Sequence, residues 1–377
     1  MKDQTPRPGG ETKDEVDNRQ LDLGEAFTWD DVPDFDLEVQ RLEDSLEIAG
    51  DVSTRAVQLR NLGRAYANRH TVTNEILDLN KAIQNYQEAL RLASSDNPSQ
   101  TGDLAGLAIA TYQKFLQSGE KCDIDSCIQL LEESLESSDA QYITSLHRQN
   151  ILAQVYHSKW NISREDAQDL DQSIGLFEQI IDLESADNAS HTNSLMKLGV
   201  LYENRFDRTG NLEDLKSCLK RSQDALIVLG SGKSQKRAEV LLNLGTAFGK
   251  RFDRLGDTED LDCSINYYGD AVEASPDNTS PLERYSLMLH LGLGHAKRYE
   301  SLDSREDLDI AIRVLKSAVD LVTEHSAFQV SAMLHQQKFN RSRALTDLDE
   351  AIAWLQKAED LVPHDKTWID FRICHQV

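Results

Sequence analysis

A six-residue phrase recurs along this chain, and its spacing constrains the fold more than any other feature. Its fullest copy is Asp347-Leu348-Asp349-Glu350-Ala351-Ile352. The closing apolar residue returns at Ile83, Ile128, Ile174, Leu219, Ile265, Ile312 and Ile352, in steps of 45, 46, 45, 46, 47 and 40 residues. A self-similar period of this size builds stacked supersecondary units, each burying its apolar face against its neighbours and not in one central core. An array of this kind offers a long surface to partners, and that surface does not name the partner.

Each unit reads as two helices. The first carries an apolar-small pair: Leu62-Gly63, Leu107-Ala108, Leu152-Ala153, Leu198-Gly199, Leu244-Gly245 and Leu291-Gly292. A small residue lowers helix propensity but lets two helices approach closely. Three residues after the small position stand Tyr66, Thr111, Tyr156, Tyr202, Phe248 and His295; seven after it stand His70, Phe115, Trp160, Phe206, Phe252 and Tyr299. Positions 0, 3 and 7 share one helix face. The second helix opens at an aspartate five residues before each closing apolar position: Asp78, Asp123, Asp169, Asp214, Asp260, Asp307 and Asp347. These are expected to be N-caps, since an Asp side chain accepts from the free N–H groups of a first turn and suits the positive end of the helix dipole. Asp125, Asp171, Asp262, Asp309 and Asp349, two residues on, extend the same electrostatic effect.

A basic residue precedes each aromatic of the first helix: Arg69, Lys114, Lys159, Arg205, Arg251, Arg298 and Lys338. One reading is a basic ladder for an acidic ligand. The other, favoured by the strict register of the aspartates, is that each cation neutralises the acidic turn opening the second helix.

The domain reading is a polar tail over 1–32 with Pro6, Pro8 and Gly9-Gly10, disordered by composition; a solenoid over 33–363 of a half repeat and seven helix pairs; and a tail over 364–377. The seventh pair is short: Ile312 to Phe339 is 27 residues where Ile265 to Tyr299 is 34. About two helical turns are expected to be missing from its first helix.

The formal charge of −25 argues against nucleic acid or an anionic membrane as partner and favours a basic or amphipathic one. No apolar run reaches the length of a membrane span, and the start lacks the apolar region of a secretory signal, so a cytoplasmic location is expected. Cys127, Cys218 and Cys263 fall on or beside the buried small position and read as small hydrophobes.

No catalytic, cofactor or metal site is expected. Gly230-Ser231-Gly232-Lys233-Ser234 resembles a phosphate-binding loop, but the pattern needs a glycine five residues before Gly232 and Ile227 stands there. In register, the apolar run Ala225 to Leu229 belongs to a second helix, so the segment is an inter-repeat loop. His325, His335, His364 and His375 form no ligand pair, and Cys122 and Cys127 lack the second pair a zinc site needs.

Leu-Gly with an aromatic three later, followed by Ala, Tyr/Phe, Ala and Pro in the second helix, resembles the tetratricopeptide repeat. The likeness covers about 33–363. It departs from the 34-residue form in having 19 residues, and not 12, between Gly63 and Ala82. The long variant, as in Arg205 to Lys216, is similar to arrays of filamentous fungi that often precede a CHAT domain, a caspase-like peptidase module; no such module is expected before the sequence reaches Val377. The resemblance implies an all-α, right-handed α-solenoid and a non-enzymatic scaffold that binds a peptide or protein segment in a concave groove. It also implies two alternatives, a recruitment array of a CHAT peptidase system or an accessory protein of a fungal biosynthetic pathway. The groove positions of the family, three before and one after the small residue, are here Arg60 and Arg64, Ala105 and Ile109, Asn150 and Gln154, Met196 and Val200, Leu242 and Thr246, Leu289 and Leu293. They lack the Lys and Asn of the chaperone-tail clamp, and they turn from polar to apolar along the chain.

Overall fold

The computed structural model describes residues 35–93, 100–119, 122–136, 142–163, 167–185, 189–321 and 325–360. Both tails expected from composition lie outside them. Among the described residues there are fifteen α-helices and no strand, and the chain divides into two compact units, Met1–Lys121 and Cys122–Val377. The first unit holds α1 (Phe35–Glu47), α2 (Val52–Thr73), α3 (Ile76–Leu92) and α4 (Gln100–Ser118). The second holds α5 (Cys122–Glu136), α6 (Tyr142–Ser163), α7 (Ala167–Leu183), α8 (Ala189–Thr209) and α9 (Leu212–Leu229). It continues with α10 (Gln235–Leu255), α11 (Thr258–Ala274), α12 (Pro281–Leu302), α13 (Arg305–Val319), α14 (His325–Ser342) and α15 (Leu345–Asp360). Even-numbered helices are the first helices, carrying the apolar-small pair from α2 to α12; odd-numbered ones carry the recurring phrase.

The small residues mark where paired helices touch. A Cβ on Gly245 would lie 2.5 Å from the Tyr268 ring and 3.1 Å from the Ser264 carbonyl oxygen. Ser264 Oγ uses the same proximity to donate to the Gly245 carbonyl at 2.7 Å, as Ser173 does to Ala153 at 2.8 Å. Gly292 is as tight, its Cβ position 2.7 Å from Leu315. The leucine of the phrase is buried in every described copy where a further helix follows, at Leu79, Leu170, Leu215, Leu261 and Leu308. Each contributes roughly 1.5–3 kcal/mol by leaving water. One apolar cluster runs without a break from Ala153 on α6 through Phe177, Leu198 and Leu215 to Phe248 on α10, so neighbouring pairs share their core.

The structure corrects the capping assignment. Asp78, Asp169, Asp214, Asp260, Asp307 and Asp347 are each the third residue of their helix, one turn inside the cap position. The N-caps of α9, α11 and α13 are Asn211, Asp257 and Ser304, whose side chains accept from backbone N–H groups; Glu75 precedes α3 without such a bond. Asp123 is the second residue of α5, and its side chain lies outside the described residues. The caps change identity from unit to unit because any short polar side chain serves there. The aspartate three residues on is buried at Asp78, Asp169, Asp214, Asp260 and Asp307, and each of these answers an arginine or lysine of the first helix.

The Gly230–Ser234 segment joins α9 to α10. The apolar run before it is the last turn of α9, Gly230 takes φ 67°, and Ser234 caps α10. Lys233 points across the loops to Asp277 at 3.1 Å. The shortening of the seventh pair is divided: α13 is two residues shorter than α11, the connection to α14 one shorter, and α14 four shorter than α12. No described helix is long and apolar enough to cross a membrane.

Candidate partner groove

The recurring basic residue is the part of the pattern with the firmest geometry. Arg69 grips the buried Asp78 with two nitrogens at 2.9 and 2.6 Å, and Arg298 grips Asp307 at 3.0 and 2.7 Å. Arg205–Asp214 and Arg251–Asp260 repeat the arrangement, and Lys159 stands 3.6 Å from Asp169. The expectation that these cations neutralise the acidic turn matches the geometry. A second partner was not expected. Arg69 also reaches back to Asp36, Lys159 to Asp125, Arg205 to Asp171, Arg298 to Asp262 and Lys338 to Asp309, each within 3.0 Å. These are the second aspartates of the phrase in the preceding pair, so one cation ties two successive second helices together. Burial alone would raise the Asp307 carboxyl, but hydrogen bonds from Arg298, His295 and Ser304 outweigh it and hold the group well below the usual carboxylate range.

The α9–α10 joint departs from the rule. Lys216 occupies the place of the second aspartate and pairs with Glu213 at 2.6 Å, and Arg251 keeps Asp260. A tyrosine link likewise fails there. Tyr66, Tyr156 and Tyr202 donate to Glu43, Glu132 and Glu178 of the preceding second helix, while the equivalent Phe248 has no hydroxyl. Lys250 bridges this joint instead, 2.6 Å from both Glu203 and Asp207 on α8.

That bridge belongs to a ladder along the first helices of the second unit. Asn204 meets His157, Lys297 meets Asp253, and Gln337 donates to Glu300. The ladder links α6, α8, α10, α12 and α14 through polar groups of their C-terminal halves. The groove positions lie N-terminal to these contacts, in the first and middle turns of the helices. Asn150, Gln154, Met196, Val200, Leu242, Leu289 and Leu293 are all half-buried. Met196, Leu242 and Leu289 also pack onto core clusters, so part of each serves the fold; Gln154 donates to Asn150 at 2.6 Å.

In the first unit, Arg60 is not an open cation. Two of its nitrogens hold the fully buried carboxylate of Asp103 on α4, one of them at 2.8 Å. Arg64 is exposed.

Three ionisable groups that sequence reasoning passed over lie beside the groove positions of the second unit. His147 and Glu239 stand three before and seven before the groove positions of α6 and α10, and Lys197 stands three before Val200 on α8. Spacings of three, four and seven place these on one helix face. Lys197 and Glu239 are exposed, yet burial by surrounding protein pushes the Lys197 ammonium down to about 8 and raises the Glu239 carboxyl, with Glu283 adding to the latter. Burial also lowers half-buried His147. The Lys197 and Glu239 charges are desolvated by neighbouring protein although their side chains keep contact with solvent. No periodicity of apolar residues could have revealed it. Among the described residues no group of His, Cys, Asp and Glu could hold a metal ion.

No protein-family model matches the chain, and no curated protein matches it. Solved structures do. A signal-transduction ATPase with numerous domains and a tetratricopeptide-repeat sensor from Pyrococcus horikoshii superposes with a TM-score of 0.53 at 11% identity, over 86% of this chain and 46% of that one. A tetratricopeptide-repeat protein from Parabacteroides merdae gives 0.49 at 11% identity over 81% and 98% of the two chains. YrrB, described as a tetratricopeptide-repeat protein with an unusual peptide-binding site, gives 0.38 at 18% identity over 61% and 96%. The fold is an all-α solenoid of tetratricopeptide-like helix pairs.

Proposed function

We propose that this chain is a non-enzymatic protein-interaction scaffold. Its binding face is formed by the first and middle turns of α8, α10 and α12, and its partner is a peptide or protein segment with an apolar stripe. The observation that carries this reading is the run of half-buried Met196, Val200, Leu242, Leu289 and Leu293 on three adjacent first helices, beside two exposed but desolvated charges, Lys197 and Glu239. Apolar residues left incompletely covered gain free energy from a ligand that completes their burial. The chain's charge of −25 favours a segment with basic residues outside the stripe.

The test starts with proteins that co-purify with the intact chain. The same purification is then run with Val200→Asp and Leu293→Asp together, two positions that the core needs less than Leu289. Selective loss of a partner, with helix content and melting unchanged, supports this face. An unchanged set of partners from a folded double variant moves the binding surface elsewhere.

A further inference from the structure

Helix α15 leaves open two positions that its equivalents cover. Leu345, Ile352 and Leu355 are 70%, 45% and 51% exposed, and all three lie on one stripe at spacings of seven and three. The counterparts of Leu355 are buried at Leu131, Phe177, Tyr268 and Leu315, and those of Ile352 are buried at Ile128, Ile174, Leu219 and Ile265 and half-buried at Ile83 and Ile312. Leu345 extends the stripe at a position that is not buried in the other described copies. Part of that cover comes from the first helix of the following pair: the Cβ position of Gly294 on α12 lies 3.1 Å from Ile265 and 3.3 Å from Tyr268 on α11.

Asp349 on the same helix gives the missing cover a charge. Its equivalents Asp36, Asp125, Asp171, Asp262 and Asp309 each receive a lysine or arginine from the next first helix at 2.7–3.0 Å. Asp349 is exposed, and no cation among the described residues reaches it. An apolar stripe beside an acid in this register matches a helix with a small residue in its apolar face and a basic residue beside it.

We propose that the outer face of α15 docks an amphipathic α-helix of a second polypeptide, in the place of a further first helix, with a lysine or arginine of that helix on Asp349. The partner packs on α15 and leaves the face on α8, α10 and α12 free, so this site is independent of the one proposed above.

The probe is a fluorescent peptide of residues 189–209, the α8 sequence with Gly199 and Arg205, held helical by a side-chain staple on its solvent face. Titrated with the full chain, it is expected to bind saturably. Ile352→Asp with Leu355→Asp should weaken binding by about ten-fold or more. Asp349→Lys, an exposed change that the fold tolerates, should weaken it by about two- to five-fold, and a peptide carrying Arg205→Asp should recover that loss. The proposal is overturned by absent saturable binding, or by binding that ignores the charge reversal at Asp349. It is also overturned if a chain ending at Asp360 binds the probe and the full chain does not, which would assign the face to residues 361–377 of the same molecule.

Discussion

Arg205 and Asp171 are 34 positions apart in the chain and 2.9 Å apart in space, and the same guanidinium holds Asp214 at 2.7 Å. The two carboxylates do different work. Asp214 is buried and Asp171 is exposed. Removing the cation therefore strands one charge in the interior and frees the other to water. Arg298→Ala, which strands Asp307 in the same way, should cost about 3 kcal/mol. Asp262→Ala, at the exposed end of that clip, should cost about 0–1 kcal/mol. Urea unfolding of both variants separates them, and equal losses would show that the buried end is not the dominant one.

The depressed carboxyl of Asp307 sets a pH dependence. In the folded chain this group takes up its proton less readily than in the unfolded chain, so between the two values the unfolded state binds more protons. Its contribution is fully present above about pH 4, the usual carboxylate range, and is lost as pH falls through the lower folded value. The gap in melting temperature between the natural chain and Asp307→Asn should be constant near neutrality and narrow below about pH 4. A gap that widens on acidification would contradict the hydrogen-bonded carboxylate.

Lys216→Asp should restore the clip that the α9–α10 joint lacks, by offering Arg251 a second acid. The expected gain is about 0–1 kcal/mol, since the new pair is exposed. Combining it with Arg251→Ala in a double-mutant cycle isolates the pair, and a coupling energy of zero would mean that Arg251 cannot reach across the joint.

Glycines in this array divide into two kinds. Gly245→Ala must push a methyl into the Tyr268 ring and should cost about 1–3 kcal/mol. Gly269→Ala meets nothing within 4 Å and should stabilise α11 by about 0.5–1 kcal/mol. Thermal melts of the two variants should move in opposite directions.

Much of this structure is legible in the sequence because its signals are local and periodic. The 45- to 47-residue period, the apolar-small pairs and the buried leucine of the phrase all announce helix pairs in close contact. The aspartates were legible as fixed points but not in their role. An aspartate at a cap and one a turn later look alike in a single sequence, and the cue that separates them is the recurring basic residue nine positions before each, or ten before Asp169. The reach of Arg205 to Asp171 depends on how pairs stack, which no spacing within one pair encodes. The desolvation of Lys197 and Glu239 depends on how neighbouring helices pack, which no periodicity within one helix encodes.

The two aspartates of the phrase also affect how such an array can change its length. The first answers an arginine or lysine in its own pair and the second does so in the next, and both answers recur in register. A whole period can therefore be duplicated or excised between equivalent positions, and each new junction inherits a matched acid and base without further substitution. Growth by copying is self-sealing electrostatically wherever the phrase keeps both acids. A copy whose phrase carries Lys216 instead passes on a junction without that match, and such a copy is the one at which recombination would leave a lasting seam.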